Sequence, residues 1–215
     1  MKMNKKFYNE LREKIQPYFE KSGSHAFDHT ERVHNLALTI AKTENVDIDI
    51  VKTAALMHDI ARKKQGYNYE ICHAKEGARM TKEILKIMDF PKEKIDAVCH
   101  AIEVHRYSKN LKAEIKEAEI IQDADRLDAI GAITIARIFD WGAKRNRIIH
   151  DPNTNPEEYG DNHMSNTSIN HFYEKILKIK PETFKTKKAK EIAKKRYEFT
   201  KQFVEEFIKE WEGKK

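Results

Sequence analysis

"AALMHDIARKK", residues 54–64, sets a histidine and an aspartate side by side where apolar residues are expected. Read as a helix, the segment carries an apolar stripe through Val51, Ala54 and Ala55 that runs on into His58 and Asp59. An aspartate is almost never fully buried unless it is paired. Neighbours on a helix point about 100° apart and do not face each other, so this pair cannot satisfy itself by hydrogen bonding. Each side chain needs a third party. A divalent metal is the simplest single object that both can reach, because it neutralises the carboxylate and takes the imidazole lone pair. The plainer alternative is a ring bonded to a backbone carbonyl and a carboxylate paired with an arginine. For one dipeptide by itself, that alternative stands first.

Other predicted helices repeat the anomaly. His29 lies four residues before Val33 and heads a stripe of Val33, Leu36, Ala37, Ile40 and Ala41 with a clear 3.6 period. Asp125 lies four residues after Ile121, and Asp128 follows on the same side ahead of Ala132 and Ile135. Three helices thus each turn an imidazole or a carboxylate inward. The resulting His, His, Asp, Asp set needs no cysteine, so Mn²⁺, Mg²⁺, Fe²⁺ or Ni²⁺ suits it as well as Zn²⁺. His73 opens a fourth helix and His105 sits seven residues after Val98; both either turn to the same centre or serve as capping or surface histidines. His100 shares a face with Asp96 and Glu103 and is left out.

Cations cluster nearby. Arg32 is three residues from His29, and Arg62 and Lys63 are each one turn beyond His58 and Asp59. Cations so placed suit a phosphate substrate, with helix C-terminal charge as the competing explanation for Arg62 and Lys63. Arg137, within an apolar stretch, reads as a structural ion pair. His150–Asp151 lies in a proline-bearing loop and reads as turn chemistry. His25, His34, His163 and His171 read as solvent-facing or locally bonded.

The frame around these residues is helical. The chain has 215 residues, only 7 Gly and 5 Pro, and abundant strong helix formers. Its net charge of +6 (41 − 35) is spread through a heavily charged sequence and forms no basic arm. No apolar run reaches membrane-spanning length, and no face interleaves basic with aromatic residues, which sets nucleic acid aside. Two cysteines, Cys72 and Cys99, read as free thiols in a reducing cytoplasm. Helices are predicted over about 4–20, from Asp28 as N-cap with Glu31 completing a capping box, from Asp49 as the cap of the His58 helix, over His73–Met88 and over Ile95–His105. Ile120–Phe139 is apolar on nearly every face and reads as one central buried helix. A long loop rich in Gly, Pro and Asn follows. Helices resume at about Thr167–Ile179 and Lys187–Trp211, the last with Ile192, Phe199, Phe203, Phe207 and Trp211 on one face. That face would serve a homodimer as readily as the core. The fold is an all-α, single-domain helical bundle.

"DHTERV", "AALMHDIARK" and "IIQDADRLDAIGAI" together resemble the HD-domain metal-dependent phosphohydrolases, whose pattern is a His, then His-Asp, then Asp on successive helices. The similarity is to a compact bacterial and archaeal branch, in which the "QDADRLDAIGAI" stretch, the "HDP" loop and a late "INHFYEKIL" segment also recur. It covers about residues 20–213, and implies one HD-type domain with a core of about 20–140 and C-terminal helices of about 165–213 packed on it. Carried over by position, it makes His29, His58, Asp59 and Asp125 the metal ligands. Some HD families add two histidines between the HD pair and the last Asp and hold two metals. His73 and His105 occupy comparable places, so one ion is the favoured count and two the alternative. Some HD nucleotidases carry acidic residues just after the HD pair, where this chain has the basic "IARKK".

The expected protein is a cytoplasmic metal-dependent phosphohydrolase acting on a small phosphorylated molecule, a nucleotide first of all. Asp128 or His105 would orient the attacking water or take its proton, while Arg32, Arg62, Lys63 and His73 would stabilise phosphoryl charge. A metal-holding nucleotide sensor without turnover and a di-iron oxygenase on the same scaffold are the rivals.

Overall fold

Short polar side chains folding back on the backbone set several helix starts. Asn4 Oδ1 accepts from Phe7 N at 2.9 Å and opens α1 (Lys5–Ile15). Asp47 accepts from Asp49 N and Ile50 N and opens α3 (Ile48–Met57), while Thr167 and Thr186 do the same for α9 (Ser168–Glu174) and α10 (Lys187–Trp211). Each cap satisfies a donor that the helix itself cannot. The computed structural model describes residues 2–20, 26–66, 68, 70–106, 109, 111–159 and 164–214, so His25 and His163 lie outside the described residues. The fold is all-α, as expected. Among the described residues the only extended pairings are isolated bridges, Glu20 with Ala26 and Ile148 with Thr167. No described helix is long and apolar enough to cross a membrane.

The chain divides into two compact units, Met1–Asp125 and Arg126–Lys215. In the first, α3 is the central element, packed against α2 (Phe27–Ala41) and α6 (Lys92–Glu103), with α5 (His73–Ile87) on α6. Val51, Ala54, Ala55, Leu56 and Met57 of α3 are fully buried, which is what a helix apolar on most faces requires. Val33, Ala37 and Ile40 of α2 and Val98, Ala101 and Ile102 of α6 close on it; the alanines let the helices approach. α4 (Arg62–Gln65) is a single turn ended by Gly66 at φ +47°. The unit ends within α7 (Lys116–Asp128).

Two caps differ from the sequence reading. α2 begins at Phe27 behind Ala26, and the Asp28 carboxylate takes His29 N and Arg32. Asp49 lies inside α3 rather than capping it. Its buried carboxylate accepts from Tyr8 Oη at 2.9 Å, Lys94 Nζ at 3.1 Å and Met3 N at 3.2 Å, so it ties the N-terminal segment and α6 to α3.

In the second unit the expected 120–139 helix is broken. Gly131 takes φ +97°, a left-handed conformation that glycine alone adopts freely, and α8 (Ala132–Ala143) starts afresh. α8 is half-exposed, with Ile133 at 48%, so the stretch is not one buried rod. α10 buries Ala189, Ala193, Thr200 and Val204. Phe199 and Trp211 lie off that stripe and stay half-exposed, while Phe203 meets Phe139 edge to face and Phe207 stacks on it. Asp151 accepts from Asn153 N at 2.9 Å and from the Thr154 hydroxyl, the turn expected of the loop. Cys72 and Cys99 are free thiols.

Candidate metal centre

α3 stops one residue short of the histidine. His58 is its C-cap and Asp59 sits in the turn that follows, where Ile60 N bonds Met57 O at 3.1 Å and Arg62 N bonds Asp59 O at 2.8 Å. The sequence reading kept both residues on a helix, where they would splay apart. The turn instead brings them together, with His58 Nε2 3.9 Å from Asp59 Oδ2.

Two other helices complete the first group. His29, in the first turn of α2, sets Nε2 3.3 Å from His58 Nε2 and 3.4 Å from Asp125 Oδ1 of α7. His58 Nε2 is 3.9 Å from the same Asp125 oxygen, and His29 Nε2 is 3.8 Å from Asp59 Oδ2. The other oxygen of Asp59 serves a second group. His73 Nε2, from the first residue of α5, is 3.4 Å from Asp59 Oδ1, and His105 Nε2, just past α6, is 3.7 Å from it. Each trio, His29–His58–Asp125 and Asp59–His73–His105, holds its donor atoms within 4.8 Å of one another.

Three rings are locked in one orientation. His58 Nδ1 meets the Ala55 carbonyl at 2.8 Å and His105 Nδ1 the Ile102 carbonyl at 2.6 Å, both three residues back. His73 Nδ1 meets Gln65 Oε1 at 2.7 Å. A carbonyl oxygen only accepts, so each Nδ1 carries a proton, and in the neutral ring Nε2 is left to turn its lone pair to the centre.

This donor set fits a divalent ion. Nitrogen and oxygen donors bind such ions at about 2.0–2.2 Å, which sets neighbouring donors about 2.8–3.6 Å apart in octahedral or tetrahedral arrangement. The contacts just given, 3.3–3.9 Å, reach that range with adjustments of a few tenths of an ångström. Four imidazoles and two carboxylates, with no thiolate, suit a hard or borderline ion.

Burial and neighbouring charge act differently on these groups. Burial pushes the His58 ring below its ordinary pKa, against the pull of Asp59 and Asp125. Burial, with Arg62 and Arg106 adding to it, takes His73 down to about 2 despite Asp59. Burial works against the His105 imidazolium too, but hydrogen bonding and charge from Asp59 outweigh it and hold that ring above its usual value. Burial alone would raise Asp125; the His29 hydrogen bond and the neighbouring rings hold it well below the carboxylate range.

The remaining candidates lie in varied settings. The Arg32 guanidinium pairs with Asp28 at 2.7 Å. Arg62 Nη1 donates to Gln65 Oε1 at 3.1 Å, and Lys63 is exposed. Asp128 belongs to the second unit, where its buried carboxylate takes Arg137 Nη1 at 2.8 Å; Arg137 is thus in the ion pair expected of it. His100 Nε2 accepts from Glu114 N at 3.1 Å and His171 bonds Ser165 at 2.9 Å. His34, expected outside or locally bonded, is buried at 7% exposure. Gln65 and Arg106, whose Nη1 reaches Cys72 Sγ at 3.7 Å, went unnoticed in the sequence. The only hint for Arg106 is its place beside His105.

Comparison with known proteins agrees with this geometry. The family model described as HD domain matches residues 26–130. The uncharacterized protein YpgQ of Bacillus subtilis strain 168 is 33% identical over 199 residues, 90% of this chain and 88% of that protein. The crystal structure of an HD-superfamily hydrolase from Bacillus thuringiensis matches with a TM-score of 0.76 at 32% identity, over 96% of this chain and 97% of that one. The crystal structure of Bacillus subtilis YpgQ in complex with ADP matches with a TM-score of 0.71 at 30% identity, over 95% of each chain.

Proposed function

This chain belongs to the HD-domain superfamily, and from that premise we propose that it is a metal-dependent phosphohydrolase whose substrate is a small phosphorylated molecule, most naturally a nucleotide. The observation that carries the proposal is the gathering of His29, His58 and Asp125 in one donor group and of Asp59, His73 and His105 in another, with Asp59 Oδ2 3.8–3.9 Å from the first group's His29 and His58. The nucleotide is supported by the complex of Bacillus subtilis YpgQ with ADP.

In this reading His29, His58, Asp59 and Asp125 hold the ion, and Asp59 offers its second oxygen to His73 and His105, where a second ion has donors too. The ion supplies a Lewis acid for a phosphoryl oxygen and lowers the pKa of water. His105, whose affinity for a proton Asp59 raises, takes the proton of the attacking water. The Asp128 carboxylate is engaged by Arg137 instead. Arg32, Arg62 and Lys63 supply positive charge to the departing phosphoryl oxygens. Two free thiols are in keeping with a reducing cytoplasm.

The test is a panel of nucleoside mono-, di- and triphosphates with added Mn²⁺ or Mg²⁺. Chelation and Asp59→Ala should each abolish release of phosphate or pyrophosphate. An Asp59→Ala protein as active as wild type overturns the proposal. A relative that binds ADP is also what a nucleotide sensor would give; tight binding with no product over long incubation would favour that reading.

A further inference from the structure

His73 differs from the other locked rings in what holds it. His58 and His105 each bond the carbonyl three residues earlier. His73 is the first residue of α5, so no helical carbonyl stands three residues behind it. A side chain from elsewhere takes that place: Gln65, from the last position of α4, only 7% exposed.

The orientation of the Gln65 amide follows from its neighbours. Its Nε2 is 2.8 Å from the Ile71 carbonyl, and its Oε1 is 3.1 Å from Arg62 Nη1. Turning the amide over would set oxygen against carbonyl and NH₂ against guanidinium. Oε1 therefore faces His73 Nδ1 at 2.7 Å, and an oxygen there demands a proton on Nδ1. Without that oxygen the ring has an equally complete alternative. Nδ1 would accept from Arg62 Nη1, 3.0 Å away, and Nε2–H would donate to Asp59 Oδ1, 3.4 Å away.

We propose that Gln65 is a positioning residue that chooses between these two tautomers, holding the His73 Nε2 lone pair free toward Asp59. The proposal rests on the metal-dependent reading above and sharpens it. The sequence placed His73 among the phosphate contacts, yet a ring with its proton fixed on Nδ1 has none to give a phosphate oxygen at Nε2. Gln65 thereby assigns His73 to lone-pair duty, as a ligand to a cation or an acceptor from water. It also keeps the His73 ring from donating an N–H to Asp59, the carboxylate common to both groups.

The test reads the His73 ring nitrogens by long-range ¹H–¹⁵N NMR at neutral pH in chelator-treated protein, assigned by the signals lost in His73→Gln. A parallel Mn²⁺ titration reads affinity. Wild type should show the proton on Nδ1. Gln65→Met, similar in shape but without an acceptor, should move it to Nε2 and weaken ion binding about 10- to 100-fold, the usual cost of losing a partner that orients a ligand. Gln65→Glu keeps an acceptor and should keep the wild-type tautomer. A wild-type ring protonated on Nε2, or a Gln65→Met ring still protonated on Nδ1, overturns the inference; the first result stands even where Gln65→Met fails to fold. A wild type that binds no divalent ion overturns the functional reading instead, while the tautomer measurement still judges Gln65.

Discussion

Replacing Gly77 with alanine should stabilise the protein, because α5 leaves room for one methyl group at that point. Gly77 is buried within α5. A Cβ there would meet Ile102 Cγ2 at 3.5 Å, the His58 carbonyl oxygen at 3.6 Å and Ile60 Cγ2 at 3.7 Å, all ordinary van der Waals separations. Glycine inside a helix costs about 0.8–1.0 kcal/mol relative to alanine, and a buried methyl contributes up to about 0.8 kcal/mol. Small adjustments in three neighbours offset part of that, leaving a gain of about 1 kcal/mol. For 215 residues this raises Tm by about 2–4 °C. The assay is thermal and urea melting beside wild type, with a Mn²⁺ titration because the nearest backbone atom belongs to His58. Stability should rise and ion affinity hold. A loss of 1 kcal/mol or more, or a weakened site, would refute the packing argument, since α5 would then press on the His58 turn more closely than 3.6 Å. Gly142→Ala supplies the contrast. There the added Cβ would lie 2.7 Å from Ser168 Oγ and 3.1 Å from Arg147 Nε, too close without movement, and the expected cost is about 1–3 kcal/mol.

Asp49→Ala should destabilise by about 3 kcal/mol in urea melts, because the Tyr8 hydroxyl and Met3 N lose their acceptor; Lys94 keeps Asp47 at 2.8 Å, which holds the loss to the lower end for a broken buried pair. Glu76, held down to about 2 by Arg79 and then Lys64, has a depressed carboxyl pKa, so its stabilisation is present above about pH 4.5 and is lost as pH falls toward 2. Arg79 and Lys64 are more than half exposed, so solvent screening keeps the contribution of the pairs small. Wild type should be slightly more stable than Glu76→Gln at pH 7, and the difference should fade as pH falls through about 2.

The apolar stripe was enough to single out His29, His58, Asp59 and Asp125, because polar groups on an inward helical face break a period that the eye can count. It left His73 and His105 undecided for a definite reason. His73 is the first residue of α5 and His105 lies beyond the end of α6, and a helical phase says least at helix ends. Gln65 gave no signal at all. Its contact with His73 joins the end of α4 to the start of α5, a meeting that spacing along the chain does not predict. Asp47 and Asp49 are both plausible caps by type, and it is Tyr8, brought in from α1 onto Asp49, that separates the two roles. The break at Gly131 was hidden because a left-handed residue changes the direction of the chain without changing its hydropathy.

The charge of the donor set argues for a cation more strongly than any single distance. Asp59 and Asp125 bring two negative charges, and Asp59 is nearly fully buried. Burying carboxylates together costs heavily unless positive charge enters with them. The donor groups bring imidazoles beside these carboxylates, and burial drives His58 and His73 toward their neutral forms. The Ala55 carbonyl and Gln65 then hold the Nδ1 protons on the far side of the His58 and His73 rings, so those two rings turn lone pairs, not protons, to the carboxylates. A single divalent ion answers both demands, bringing two carboxylates and neutral imidazoles to zero net charge. A second ion in the Asp59–His73–His105 group would leave a surplus of two positive charges, the charge that a phosphoryl group carries in.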